Sequence, residues 1–332
     1  MRLRWRQCVF VLCVFLSAFP LIADELESLH FTPVRRFFGI GTASINGAYF
    51  PLGAALARLF NAHFDDIMTI AEPTSGSLAN LEYLRSGDLA LALVQSDLAW
   101  DAFHGLRAFA GHPFSDLRVL TALHAEVVQV AVAASSSIRL LGELRGHRIV
   151  VGERGSGSAI NASMILETLG LSSSDYSAVY LPFTKATAAI ADSEADAVFF
   201  TGAAPSEGFT NLAARLPIRL LSFTSEQQHR LTETYPFWSA ETVPAGLYGS
   251  ENPAVSTVGL RALLVTRASL DSATVEEMLK LLFGNLQLLA SMSHSAAGIR
   301  LENALKSVET GMLHEGARNY FIGCNIALPA SR

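Results

Sequence analysis

The sequence predicts an α/β protein of two lobes, each a mixed sheet flanked by helices, with a ligand cleft between the lobes. Three observations predict it. Short apolar, β-branched runs alternate with helical runs along most of the 332 residues. The pattern Ser-Gly-Ser-x-x-Asn follows a strand at 75–80 and recurs after another strand at 156–161. Two long apolar stretches, 127–134 and 258–266, have the composition of strands that leave the first lobe and return to it. Two crossing strands make a hinge, and a hinge permits closure on a ligand. The division expected is 24–130 for the first lobe and 131–257 for the second, with 258–332 returning to the first lobe and its C-terminal helices.

The repeated pattern carries the functional reading. Ile149 to Val151 is a buried strand, Gly155 and Gly157 break it, and a helix follows through Leu169. Strand, Gly-Ser loop and helix in that order aim backbone N–H groups, the positive helix end and small hydroxyls at one spot. The first copy follows the strand at Met68 to Ile70, and a third loop, 39–46, precedes a helix near Tyr49. Three ordinary βα turns would use the same residues. The near-identity of two copies favours one ligand between two similar lobes, each offering a helix N-terminus.

Arg2, Arg4 and Arg6, the apolar run Cys8 to Ala23 and the polarity change at Asp24 predict a secretory signal cleaved near Ala23, hence a periplasmic protein. The run is short for a membrane span, which needs about 20 apolar residues, so a retained anchor is the lesser reading. Cleavage removes three arginines and no acid, taking the net charge from −6 to −9. Such a chain lacks the basic stripe that nucleic acid requires, and no nucleic-acid partner is expected. Cys324 alone survives cleavage, so the mature chain forms no internal disulfide.

The remaining elements follow in order. Strands are expected at 36–40, 67–71, 89–94, 117–123 and 126–134, then at 179–181, 197–200, 218–223 and 258–266. Helices are expected at 48–60, with Leu52, Leu56, Leu59 and Phe60 on one face, and at 78–85, 98–103, 141–144, 184–191, 274–289, 299–308 and 315–321. Residues 235–248, with two prolines and four aromatics, read as an extended connection. Ligands of open α/β sheets sit at strand carboxyl ends. This places Gln95-Ser96-Asp97 and the loop from Thr201 at the cleft, with Asp97 also suited to cap its helix.

Enzyme signatures fail. Gly39-x-Gly41 has Ser44 where a dinucleotide fingerprint needs its third glycine, and the P-loop pattern is absent. Ser156 lacks the flanking glycines of a nucleophile elbow. His314-Glu315 lacks the second histidine of a zinc protease, and the scattered histidines form no metal cluster, so no cofactor and no metal is expected.

The chain resembles the TAXI family, the extracytoplasmic solute receptors of TRAP transporters. The matching pieces are Gly41-Thr42-Ala43 with Gly47, Tyr49 and Pro51, then Thr74-x-Gly76-Ser77-x-x-Asn80, then Gln95-Ser96-Asp97 with Ala99 and Gly105. Leu144-x-Gly146, Val151-Gly152, Gly155-Ser156-Gly157, Asp196-Ala197-x-Phe199-Phe200 with Gly202 and Pro205, Tyr235-Pro236 and His314-x-Gly316-Ala317 follow in family order. The resemblance implies a type II periplasmic-binding fold that captures a small acidic solute, glutamate or a related carboxylate or amino acid, and delivers it to TRAP membrane subunits. It implies a site of Thr42, Tyr49, Gly76, Ser77, Gln95, Ser96 and Asp97 on the first lobe, and Gly155, Ser156, Gly157, Ser158 and Gly202 on the second. Glu153-Arg154 and Ser158 depart from the family pattern. Arg154 either pairs a ligand carboxylate or lies on a solvated or lobe–lobe surface, and Asp97 either takes an ammonium group or caps its helix. A hydrolase and a ligand sensor using the same cleft stay open as alternatives.

Overall fold

The computed structural model describes residues 35–45, 47–235, 237–249 and 252–329. The expected signal segment, Asn46 and Pro236 lie outside the described residues. The first half alternates strand and helix: β1 (Arg36–Gly41), α1 (Tyr49–Asn61), β2 (Ile67–Glu72), α2 (Ser77–Ser86), β3 (Leu91–Gln95) and α3 (Ser96–His104). The long β4 (Leu117–Ala133) crosses over. There follow β5 (Arg148–Gly152), α4 (Gly157–Thr168), β6 (Ser177–Tyr180), α5 (Phe183–Ala191), β7 (Ala197–Gly202), α6 (Glu207–Arg215), β8 (Ile218–Leu220), α7 (Ser225–Thr234) and β9 (Ser239–Val243). The second long strand, β10 (Val255–Arg267), returns, and α8 (Ser272–Gly284), α9 (Leu286–Met292) and α10 (Glu315–Gly323) close the chain.

The strands lie in the order β2-β1-β3-β10-β4-β7-β5-β6, with β8 on β4 and β9 on β10. Pairing is parallel for β1 with β3 and for β5 with β6 and β7, and antiparallel wherever β4 or β10 takes part. The sheet is mixed because the two crossing strands run against the βα units on either side. Both are largely apolar and mostly buried on both faces, as strands covered by helices must be. The core divides partway along them. One cluster draws on residues 38–123 and 262–321, and two others on residues 127–260. The fold is thus the two-lobed, mixed α/β fold that the sequence predicts.

Four details correct the expected element list. The strands expected at 117–123 and 126–134 are one 17-residue strand. Neither His124 nor Ala125 is a turn former, and the join is a bulge. Ala125 faces Arg261 and Ala122 faces Leu263, so β4 advances three residues while β10 advances two. The helix expected at 274–289 breaks at Asn285, whose side-chain amide donates to the Leu281 carbonyl at 2.8 Å and ends α8. The helix expected at 299–308 is loop with a single 3₁₀ turn at Leu301–Asn303. Helices α6 and α7 were not expected. Thr224 and Gln227 form a reciprocal capping box at the start of α7, a signal readable in sequence, but of its residues only Leu231 is buried, and apolar periodicity gives no sign of it.

Candidate functional site

A cleft of about 580 Å³ lies at the carboxyl ends of the strands. Five helices begin on its walls: α1 at Tyr49, α2 at Gly76 and Ser77, α4 at Ser156 to Ser158, α5 at Pro182 and Phe183, and α6 at Ser206. Each brings N–H groups that no turn of its own helix can satisfy.

The first wall is built by the 74–80 repeat. Gly76 caps α2 with φ +109° and ψ −159°, a conformation open to glycine alone. Asn80, fully buried, donates to the Thr42 carbonyl at 2.6 Å and the Leu93 carbonyl at 2.8 Å, tying two loops to β3. Thr74 holds Asn80 at 2.7 Å and receives the Gly76 N–H at 3.0 Å. The Ser77 hydroxyl accepts from the Gln95 N–H at 3.1 Å, which leaves its proton free to donate.

The second wall is built by the 156–161 repeat. Ser156 caps α4 by accepting from the Ala159 N–H at 3.2 Å. Ser158 bonds both the N–H and the carbonyl of Thr201, at 3.1 and 3.2 Å, and so fixes α4 to β7. Asn161 differs from its counterpart Asn80. Its amide reaches the Asp97 carboxylate on α3, joining the two walls behind the cleft. Both residues are fully buried, and burial raises the Asp97 carboxyl from 3.8 to about 7.

The floor comes from the crossing strand. Glu126, only 3% exposed, accepts from the Gln95 side-chain amide at 2.7 Å. His124 Nε2 stands 3.6 Å from the other Glu126 oxygen, and neither nitrogen of that ring makes a hydrogen bond. The Tyr49 hydroxyl lies beside Glu126 and Ser77 without a well-formed bond. Burial, and then the negative charge of Glu126, hold this phenol well above its ordinary value. The lining residues include Glu126, Glu153 and His294 and, among the described residues, no lysine or arginine.

Of the twelve residues expected at the site, Tyr49, Gly76, Ser77, Gln95, Ser156, Gly157, Ser158 and Gly202 line the cleft. Thr42, Ser96 and Asp97 stand behind its wall. The Thr42 hydroxyl donates to the Glu72 carbonyl at 2.6 Å, and Ser96 accepts from the Arg261 N–H at 3.3 Å. Gly155 borders a separate crevice of about 380 Å³ with Arg154, whose guanidinium lies 3.9 Å over the Tyr180 ring. Sequence reasoning missed Glu126, Phe183, Phe200 and the 293–295 segment as lining residues. A lone acid in an otherwise apolar strand was the available signal for Glu126.

Residues 40–322 match the sequence model of the NMT1-like family. The chain belongs to the NMT1-like family. This NMT1-like protein is similar in fold to PhnD1 from Prochlorococcus marinus, solved in complex with methylphosphonate (TM-score 0.56, 11% identity, covering 88% of this chain and 99% of that one). It is similar also to the periplasmic sulfonate-binding protein SsuA from Methylobacillus flagellatus (TM-score 0.50, 12% identity, 90% and 99% covered). The periplasmic aliphatic sulphonate binding protein SsuA from Escherichia coli matches at 18% identity with TM-score 0.45, covering 80% of each chain.

In the NMT1-like chain, Gly157 is where the two walls touch. A methyl group there would overlap the Gln95 side-chain amide. Gly157→Ala therefore forces Gln95 off Glu126, an overpacking cost of roughly 1–3 kcal/mol. Urea unfolding should read this as a loss of stability of that size in the variant. Unchanged stability would mean that this contact does not set the floor.

Proposed function

We propose that this NMT1-like protein is an exported, periplasmic solute receptor, not an enzyme, and that its solute bears a carboxylate. The observation that carries this reading is the convergence of five helix N-termini and several serine hydroxyls on one cleft with no lysine or arginine among its described lining residues. Backbone donors of this kind hold a carboxylate without a fixed countercharge. Ser77 and Ser156 each use an acceptor site internally and keep a proton for the solute. Asp97 stands behind the wall, bonded to Asn161, which leaves it as a joint between the walls.

The receptor delivers its solute to membrane subunits. The ordered motifs from Gly41 to Ala317 favour those of a TRAP transporter, while the name of the sulfonate-binding match favours an ABC transporter. Uptake in vesicles separates the two: an ion gradient drives the first and ATP the second.

The test of the receptor reading is thermal stabilisation of the purified protein, refolded to strip bound solute. The panel is amino acids, dicarboxylates, 2-oxo acids and sugars. A solute at about 100 times its Kd adds roughly 2.7 kcal/mol of stability. A carboxylate-bearing solute is expected to stabilise the native protein and to lose affinity in Ser77→Ala and Ser156→Ala. Turnover of the solute would sink the receptor reading in favour of a hydrolase, and silence across the panel would count against it.

A further inference from the structure

Resting on the receptor reading, we infer that the solute in this cleft carries a protonated amine received by Glu126 and an apolar arm received by the Phe183–Phe200 stack. The carboxylate of Glu126 lines the cleft yet is almost wholly buried. An ionised carboxylate has about four acceptor positions. Here one formed hydrogen bond is accepted, from the neutral amide of Gln95, while the His124 nitrogen at 3.6 Å is too far for a bond. A buried acid of this kind is costly unless donors or a cation reach it. Lysine and arginine are missing from the described lining residues. Arg261, on the neighbouring crossing strand, is paired with Glu241 at 3.1 Å. The Tyr49 hydroxyl beside Glu126 offers one further donor and His124 a ring nitrogen at ion-pair distance; the positions still left are open to what enters the cleft.

Two more buried atoms at the floor make no hydrogen bond, Gln95 Oε1 and the Tyr49 hydroxyl. Gln95 Oε1 and the Glu126 carboxylate form a group of acceptors, and the phenol beside them can accept as well as donate. A primary ammonium offers three N–H donors and one positive charge, the complement of such a group. The helix N-termini on the walls suit the opposite charge. One solute satisfies both when it is zwitterionic.

The second half of the inference concerns the other side of the cleft. Phe183 and Phe200 stack with ring centroids 3.9 Å apart and planes inclined by 15°. Both rings are part-exposed, and both line the cleft, alongside Pro51, Pro182 and Pro205. Covering this surface releases roughly 25 cal/mol per Å² of apolar area removed from water. A cleft of about 580 Å³ lies within the range of roughly 300–1,000 Å³ that takes drug-sized ligands. A small diacid leaves this wall wet, whereas an amine-bearing carboxylate with an aliphatic or aromatic side chain covers it.

The experiment uses matched pairs that differ only at the amine: L-phenylalanine with phenylpyruvate, L-leucine with 4-methyl-2-oxopentanoate, and L-glutamate with 2-oxoglutarate. Each is titrated into the native protein and into Glu126→Gln, which preserves shape. The native protein is expected to bind the amine of a pair at least tenfold more tightly than its oxo partner, and L-phenylalanine or L-leucine more tightly than L-glutamate. Glu126→Gln is expected to bring the members of each pair within about twofold. The amine assignment is overturned if the oxo acids bind as well as the amines, or if Glu126→Gln keeps the native preference. A preference for L-glutamate overturns the apolar arm. Should Glu126→Gln fail to fold, the native pairs still decide. A response to another panel member with none to these six overturns this inference and leaves the receptor, while silence to every solute overturns both.

Discussion

Replacing Asp97 by asparagine should flatten a fall in stability that the native protein undergoes between about pH 4 and pH 7. Asp97 is wholly buried, one of its oxygens bonded to Asn161 and the other without a partner. Burial is the chief reason that its carboxyl rises from 3.8 to about 7. The charges of Asp101 and Glu126 add to the rise, and the Leu98 N–H at the start of α3 and the Asn161 amide oppose it. A carboxyl raised in the folded state binds its proton there while the unfolded chain has already lost it. The stabilisation is therefore complete below the unfolded value and is lost as pH rises through about 7. At 1.36 kcal/mol per unit, the difference amounts to about 4 kcal/mol across the window. Asp101, raised chiefly by burial, acts in the same direction. Asp196 acts in the opposite sense. Arg148 holds it down to about 2, so its contribution is present above the unfolded value and lost as pH falls toward about 2, outside this window. Urea unfolding of both proteins at pH 4, 5, 6, 7 and 8 measures the effect, with Asp97→Asn the more stable at pH 8. An equal slope in the two proteins would remove Asp97 from the account.

Phe209→Ala should be the most damaging single truncation near the site. Phe209 is fully buried, with its ring edge-on to Phe183, Phe200 and Tyr248 at centroid distances of 5.2, 6.1 and 5.7 Å. Removing a buried phenyl ring costs roughly 3–5 kcal/mol, the lost transfer energy plus the cavity left behind. At roughly 2–4 °C per kcal/mol for a unit of this size, the melting temperature drops by about 10 °C. The stacked pair on the cleft loses its backing, so affinity for solutes with apolar side chains should fall further than affinity for small ones. Calorimetry of Phe209→Ala beside Phe209→Leu checks the scale. A loss under about 1 kcal/mol for the alanine variant would mean that the ring is not packed as described.

What the sequence made legible were the periodic parts. The face assigned to α1, Leu52, Leu56, Leu59 and Phe60, is buried throughout. The repeated Ser-Gly-Ser loops were found because Gly and Ser at helix starts have local causes, which a short window of sequence contains. The floor was not legible. His124 and Glu126 sit in an apolar run where strand alternation assigns faces, but the bulge that sets their facing depends on what β10 does more than 130 residues later. Phe183 and Phe200 read as ordinary core residues, and their meeting depends on how α5 lies across β7. The second asparagine of the repeat was misleading in its likeness. Asn80 ties its helix to neighbouring strand and loop carbonyls, while Asn161 holds a carboxylate on the opposite wall.

The extra residue of β4 between Ala122 and Ala125 gives the ladder a tolerance for length at that one point. Beyond the bulge the strand alternates strictly, with Val128, Val130 and Val132 in one cluster and Val127 and Ala131 in the other. A related chain with one residue fewer between Ala122 and Ala125 would lose the bulge and keep Ala125 opposite Arg261, so Glu126 and every later side chain would hold their faces. The same deletion farther along would turn each following side chain to its opposite face. A single-codon deletion is thus absorbed at the bulge and disruptive a few residues later, so the length of this strand is free at one point and fixed beyond it.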